Sequence, residues 1–429
     1  MLDNKPNIQK WIGALAILFI IVIAFLDRTN VSVLITDKQF LADFGIADNR
    51  VAQGQLMSIF LFSYGIAAMV LSPLYETFLG VRKGFLISIV LWAIFTLISP
   101  MFSGMFLALL AFRMILGIAE GPLYSLRTMY VNEWFNNNER GKPNAVTSIG
   151  SSLGIAIGVP LTAYLVYSFS WQASFYAIGA LNLIIGLPLI WFCLSKSRGP
   201  VFLQQQKTQD NDKQSEAVKE KIPPLQRIAS TIRLAMTTPG LGWMIIIQIC
   251  HQSYLWGTSS WLPSYLLQEK GFSLKAMGVL ASAPFIVSLC AGLLGGYVVD
   301  RIPKNRMAAV FIVGGILTSI TVTLAITSQT PLATALLLIL GNAFWGMQSP
   351  TIPTIVQLAA DKRSVGSAYG LMNGLGNFVS SFVPAAMGAL IAHYGGFAAG
   401  FSLIIGAEAL VVLCGIRLLM HKKIKATQI

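Results

Sequence analysis

Six charged residues interrupt otherwise apolar stretches of this chain: Asp27, Arg28, Arg113, Glu120, Arg127 and Glu408. His251 lies well inside another apolar run and adds a group whose charge can change near neutral pH. A charge at mid-membrane costs about 3 kcal/mol or more, so such residues face a cavity or one another. Desolvation penalises the ionised form of a carboxyl, which makes Asp27 and Glu120 candidates for taking up and releasing protons. The planar fork of an arginine is suited to a carboxylate, which makes Arg28 a candidate anion clamp. Proton exchange beside anion binding needs no covalent step.

Spacing sharpens this. Asp27 and Arg28 stand about 17 residues into the first apolar run, past its midpoint. Adjacent helical residues point about 100° apart, so one can face substrate while the other faces the fourth run. Arg113 and Glu120 are seven apart, on one face and two turns from each other. Gly121 and Pro122 follow Glu120 and open the helix to water. The residues alone also allow plainer roles: a helix-end anchor for Asp27 and Arg28, a structural ion pair for Arg113 and Glu120, and a hydrogen-bonded polar residue for His251. Arg127 is expected to snorkel to the cytoplasmic rim, and Glu408 to be peripheral, facing a pocket or lying near an interface. Trp11, Trp171 and Trp261 fall near run ends, where an aromatic belt is expected.

The elements that carry these residues follow from composition. Apolar residues make up 55% of the 429-residue chain and charged residues 11%, against roughly 25% charged in a soluble domain. Twelve runs approach the roughly 20 residues a spanning helix needs: 11–35, 53–75, 84–101, 104–131, 143–169, 172–194, 238–267, 275–299, 307–328, 331–359, 364–393 and 397–420. Unpaired backbone groups are costly in hydrocarbon, so each run must be helical. The alternating segments of a barrel are absent. The fold expected is an all-α polytopic membrane protein of twelve transmembrane helices. The polar stretch 195–236 divides it into a six-helix half over 1–194, a cytoplasmic linker, and a second half over 237–429. The first run lacks a cleavage site after it and reads as a retained helix. The four cysteines lie in apolar runs without CxxC spacing, so no metal site or disulfide framework is expected.

Lys and Arg orient the chain. With both termini cytoplasmic, inside segments hold 23 of the 30 basic residues, and the outside loops hold only Lys38, Arg50, Lys270 and Lys275. The net charge of +13 is then explained by an anionic inner leaflet rather than by nucleic acid.

A shift of 224 residues lays Glu76 on Asp300, Arg82 on Arg306, Gly117 on Gly341, Gly150 on Gly374 and Pro160 on Pro384. The halves therefore read as a duplicated unit, which places a substrate between them at mid-membrane. The same shift lays Asp27 on His251, Arg28 on Gln252, Arg113 on Leu337 and Glu120 on Phe344. Charge chemistry is confined to the first half. Neutral recognition is expected from Gln252, Gln348, Ser349 and Asn373, with Tyr64 and Ser151 from the first half; small polar residues also join helices structurally.

Two six-helix halves, a long linker and basic loops resemble the major facilitator superfamily. GGYVVDRIPKNR (295–306) matches that family's loop signature, and LSPLYETFLGVRK (71–83) is a degenerate copy with Glu76 near the acid position. The resemblance implies gating-loop roles for Glu76, Arg82, Asp300, Arg301 and Arg306. FLDRTNVSV (25–33), FRMILGIAEGP (112–122) and NEWFNNNERGKPNA (132–145) resemble the anion:cation symporter family, whose members carry galactonate, glucarate and hexuronates; vesicular glutamate transporters and sialin are related. That resemblance implies proton coupling at Asp27, Arg113, Glu120 and His251, a latching role for Trp134, Glu139 and Arg140, and sugar-acid contacts at Tyr64 and Asn373. The expected function is proton-coupled symport of a small organic anion, a sugar acid of hexonate, hexuronate or aldarate type, by alternating access in a cell inner membrane. An organic-ion or drug antiporter on the same fold is the alternative. An enzyme is not expected: His251, His393 and His421 are dispersed, and the Walker lysine motif of an ATP-driven carrier is missing. The expected partners are substrate, protons and lipid, with no cofactor, no nucleic acid and a monomeric chain.

Overall fold

The computed structural model describes residues 5–35, 37–47, 49–197, 199–201, 203, 223–272 and 274–420, and the regular structure among them is entirely helical. The principal helices are α1 Lys5–Leu34, α2 Arg50–Leu74, α3 Gly80–Ile98, α4 Phe106–Glu120, α5 Leu123–Trp134, α6 Gly141–Ser168, α7 Trp171–Leu181, α8 Leu187–Cys193, α9 Pro224–Met236, α10 Leu241–Ser264, α11 Leu274–Arg301, α12 Ala309–Thr327, α13 Pro331–Gln348, α14 Thr351–Ala359, α15 Val365–Ser380, α16 Val383–Tyr394 and α17 Phe397–Met420. Several join into single spans: Phe106–Trp134 runs through the Gly121–Pro122 step, and Trp171–Cys193 through a π-turn.

Among the described residues, ten helical stretches are long and apolar enough to cross a bilayer, and a bent pair, Gln226–Met236 with Leu241–Leu262 at 81°, makes eleven. One of the ten, Ser58–Phe102, has 45 residues. At 1.5 Å per residue that is about 68 Å, twice the hydrocarbon thickness. It is two passes, broken where a π-turn over Tyr75–Leu79 ends on Gly80 at φ 69°, a backbone region that glycine occupies without strain. The count of twelve membrane helices follows. Lipid-facing positions stay apolar, as at Phe19, Val70, Leu107, Phe192, Leu332 and Leu413.

Packing divides the chain into two compact units, one of residues 1–238 with 360–374, the other of residues 239–359 with 375–429. In the first, a stripe of Gly150, Gly154 and Gly158 on α6 lies against α1. A Cβ at these positions would collide with Leu18, Phe25 and Thr29 respectively. Small residues four apart let two backbones approach closely, and this contact fixes the C-terminal half of α1, where Asp27 and Arg28 stand. Gly117 sets α4 against Ser63 and the Phe60 carbonyl of α2 in the same way. Beyond the C-terminal end of α1 an apolar cluster packs from Val31, Leu34, Phe40, Phe44, Leu109, Trp171 and Phe175.

Trp171 is therefore not an interfacial belt residue: it is 1% exposed and its Nε1 donates to Asp43 Oδ2 at 2.7 Å. The last part of the linker forms α9, which lies on this unit through a Thr77–Thr231 hydroxyl contact at 3.1 Å and Arg227 over the Phe78 ring. Linker residues 204–222 lie outside the described residues. In the second unit, Gly295 and Gly346 bring α11 against α13.

Candidate functional site

Asp27, Arg28, Arg113 and Glu120 meet in the first unit, each no more than 7% exposed. Arg28 Nε donates to Glu120 Oε2 at 2.8 Å. Arg113 Nη1 lies 3.8 Å from Asp27 Oδ1, an ion pair without a hydrogen bond. Thr96 Oγ1 donates to Asp27 Oδ2 at 2.6 Å, and Arg113 Nε to the Leu56 carbonyl at 3.4 Å. Two cations and two anions thus offset one another, as burial requires. Both Asp27 and Arg28 face partners on α4, rather than one facing it and one turning away.

The pairing is incomplete. Arg28 Nη2, Arg113 Nη1, Glu120 Oε1 and Asp27 Oδ1 are buried without a hydrogen-bond partner among the described residues. Buried polar groups ordinarily find partners, so this cluster has capacity for a further proton, water or ligand atom. Aromatic faces complete it. The Arg28 guanidinium lies 4.5 Å from the Phe25 ring, 4.7 Å from Tyr64 and 5.3 Å from Phe60, and that of Arg113 lies 4.6 Å from Phe60. Phe60 is shared by both arginines and carries no charge or amide to mark it in the sequence.

Tyr64 and Asn373 come together in the same unit, Asn373 Nδ2 donating to Tyr64 Oη at 3.0 Å. They are 309 residues apart in sequence. Ser151 is not brought into the cluster: its hydroxyl donates to the Ser148 carbonyl of its own helix at 2.8 Å.

Arg127 does not snorkel. It is 2% exposed, with Nη1 donating to Ser148 Oγ at 2.8 Å and Nη2 to Tyr369 Oη at 3.3 Å. Glu76, expected in a gating loop, is also buried, and its carboxylate accepts from the Gly366 and Ser367 amides at 2.7 Å each and from Ser367 Oγ at 2.6 Å. It thereby caps the positive end of α15. Arg82 donates from Nη2 to the Trp191 carbonyl at 2.9 Å and stacks on that ring. Glu139 pairs with Lys10 at 2.8 Å. Arg140 donates to the Phe135 and Asn132 carbonyls, both at 3.4 Å.

The second unit holds neutral pairs. His251 Nε2 lies 3.2 Å from Ser349 Oγ and its ring stacks on Trp345 at 4.3 Å. Gln252 Nε2 donates to Asn377 Oδ1 at 3.0 Å, a partner without a sequence signal of its own. Gln348 Nε2 donates to Glu408 Oε2 at 3.3 Å. Glu408 is 0% exposed, so its expected peripheral place is incorrect: α12 presents Gly314 and Gly315 beside it, and that gap admits both side chains. Of the second loop, Arg301 is exposed and stacks on Tyr297 at 4.5 Å, Arg306 is exposed, and Asp300 is half-buried.

Comparison with known proteins agrees with this architecture. Residues 17–384 match the family described as Major Facilitator Superfamily. The chain is 26% identical to the probable L-galactonate transporter of Escherichia coli strain K12, over 88% of this chain and 82% of that one. It is 25% identical to the probable galactarate/D-glucarate transporter of Bacillus subtilis strain 168, over 97% and 93%. Among solved structures, the proton:xylose symporter XylE bound to 6-bromo-6-deoxy-D-glucose superposes with a TM-score of 0.77 at 15% identity, over 98% of this chain and 99% of that one.

Proposed function

This chain belongs to the Major Facilitator Superfamily, and on that premise we propose that it is a proton-coupled symporter taking up a sugar acid across a cell inner membrane. The observation that carries this reading is the Arg28–Glu120 pair at 2.8 Å. An arginine fork suited to a substrate carboxylate is occupied by a carboxylate of the protein itself. Protonation of Glu120 removes that competitor and leaves the guanidinium for the substrate. Binding of the anion and binding of protons then favour each other, which is the linkage a symporter needs.

The loaded carrier, with Glu120 protonated, Arg28 covered by the substrate and Arg113 still paired with Asp27, crosses between outward and inward access at low electrostatic cost. Tyr64 and Asn373 offer a phenol and an amide to the hydroxyls of a polyol chain. The relatives' names support a sugar acid over a drug-like cation, and a buried arginine fits an anion. Both termini lie in the cytoplasm on this reading, as the basic residues require.

A thermal-shift screen of purified protein against sugar acids, neutral sugars and organic cations tests the proposal. Stabilisation confined to sugar acids, greater at lower pH, supports it. Stabilisation by cations alone overturns it.

A further inference from the structure

Arg127 is the one buried arginine of this cluster's face that the symport cycle above leaves without work. It continues a ladder on the fourth span: Arg113, Glu120 and Arg127 are spaced seven apart, which keeps them on one face. Arg28 and Arg113 each pair with a carboxylate. Among the described residues Arg127 pairs with none; its partners are the neutral hydroxyls of Ser148 and Tyr369. Its Nε is buried without a hydrogen-bond partner. Its guanidinium lies 4.8 Å from the Tyr124 ring and 5.7 Å from the Tyr369 ring. A guanidinium this deeply buried is costly without an anion, and stacking on two rings offsets only part of that cost.

The groups between Arg28 and Arg127 are polar and neutral. Arg28 lies over Tyr64, Tyr64 Oη accepts from Asn373, and Asn373 stands one helical turn from Tyr369 on α15. All of these residues belong to the first compact unit. Glu120, at one end, is about 10 Å along the span from Arg127, at the other. Two guanidinium poles separated by phenol and amide groups match a polyhydroxylated chain bearing a carboxylate at each end. Charge agrees. With Glu120 protonated and Arg113 still paired with Asp27, a dianion covers both Arg28 and Arg127, whereas a monoanion covers only one.

Building on the sugar-acid reading, we propose that Arg127 is a second anion-binding residue of the transport site and that the preferred substrates are six-carbon sugar diacids rather than monoacids. The experiment is calorimetric titration of the purified full-length protein with two epimeric pairs, D-glucarate against D-gluconate and galactarate against D-galactonate. Each pair differs only in whether the far end is a carboxylate or a hydroxymethyl group.

The wild type is expected to bind the diacids at least about tenfold more tightly. Arg127→Gln should weaken diacid binding at least about tenfold more than monoacid binding, closing the gap between the two classes. Arg127→Lys should fall between, because a point charge lacks the fork. Equal or tighter binding of monoacids by the wild type overturns the proposal whatever the variants do, so a poorly folding Arg127→Gln does not protect it. Equal weakening of both ligand classes in Arg127→Gln and Arg127→Lys assigns the arginine a purely structural role and also overturns it. Monoacid binding without diacid binding defeats this inference alone; binding of neither class defeats the sugar-acid reading beneath it.

Discussion

Arg28 and Glu120, 92 residues apart in sequence, meet at 2.8 Å through a single Nε–Oε2 hydrogen bond. One arm of the guanidinium and one oxygen of the carboxylate are left unpartnered. A pair kept only for stability would be expected to use both forks, because bidentate geometry is the stronger arrangement. The single bond suits a partner that must be released.

Arg28→Lys is therefore expected to lose substrate binding nearly as fully as Arg28→Ala. The lysine keeps the charge but not the fork, and its ammonium cannot hold Glu120 and a substrate carboxylate in turn with the same geometry. Equilibrium binding of the sugar acid identified in the thermal-shift screen measures this. Affinity within about threefold of wild type in Arg28→Lys would show that charge alone suffices.

The glycine stripe on α6 positions that arginine. Gly154 meets the Phe25 side chain and the Val22 carbonyl with no room for a Cβ. Gly154→Val should push α1 outward, weaken substrate binding and lower thermal stability by about 1–3 kcal/mol. Gly406 on α17 has nothing within 4 Å of an added Cβ, so Gly406→Ala should leave both properties unchanged. Thermal unfolding and ligand titration of the two variants check the contrast.

Much of this was legible in the sequence, and the rest was hidden for definable reasons. Long apolar runs announce twelve helices, because lipid admits few alternatives. The Asp27–Arg28 and Arg113–Glu120 elements could be singled out because charge is rare inside apolar runs. Their pairing could not be read, since helical spacing gives the face of one helix and not the partner across from it. Arg127 was misplaced because its distance from the span end suggested a snorkelling side chain; only the rings of Tyr124 and Tyr369 show that it turns inward. Glu408 was misjudged because the space it fills is made by Gly314 and Gly315, two residues with no chemistry of their own. Phe60 and Asn377 carried no sequence signal.

Glu76 offers a test of the first gating loop, whose sequence departs from the expected pattern. Its carboxylate accepts two backbone amides and one hydroxyl at the start of α15. Glu76→Ala should destabilise the protein by about 1–2 kcal/mol, in the range for loss of a helix cap. It should also speed hydrogen exchange at the Gly366 and Ser367 amides, and Glu76→Gln should recover part of the protection. Unchanged exchange in Glu76→Ala would remove the cap from the account.

Topology can be checked without a ligand. From the distribution of basic residues, both the linker and the C-terminus are expected on the cytoplasmic side. Reporter fusions after residues 205 and 425 should both register inside, and an external signal from either would break the twelve-helix map.

The central claim is that Glu120 competes with substrate for Arg28 and carries a proton when it lets go. Glu120→Gln mimics the protonated form permanently. Exchange of substrate for substrate requires no proton turnover, because the carrier shuttles loaded. Net accumulation does require it, because the empty carrier must lose its proton before returning. The decisive measurement is counterflow and pH-step-driven uptake of the same radiolabelled sugar acid, on one batch of proteoliposomes containing Glu120→Gln. The account predicts that counterflow persists while concentrative uptake is lost, and that Arg28→Ala loses both. If Glu120→Gln still concentrates substrate against its gradient when the pH step is applied, Glu120 is not the coupling site and the cycle built on its pairing with Arg28 is wrong.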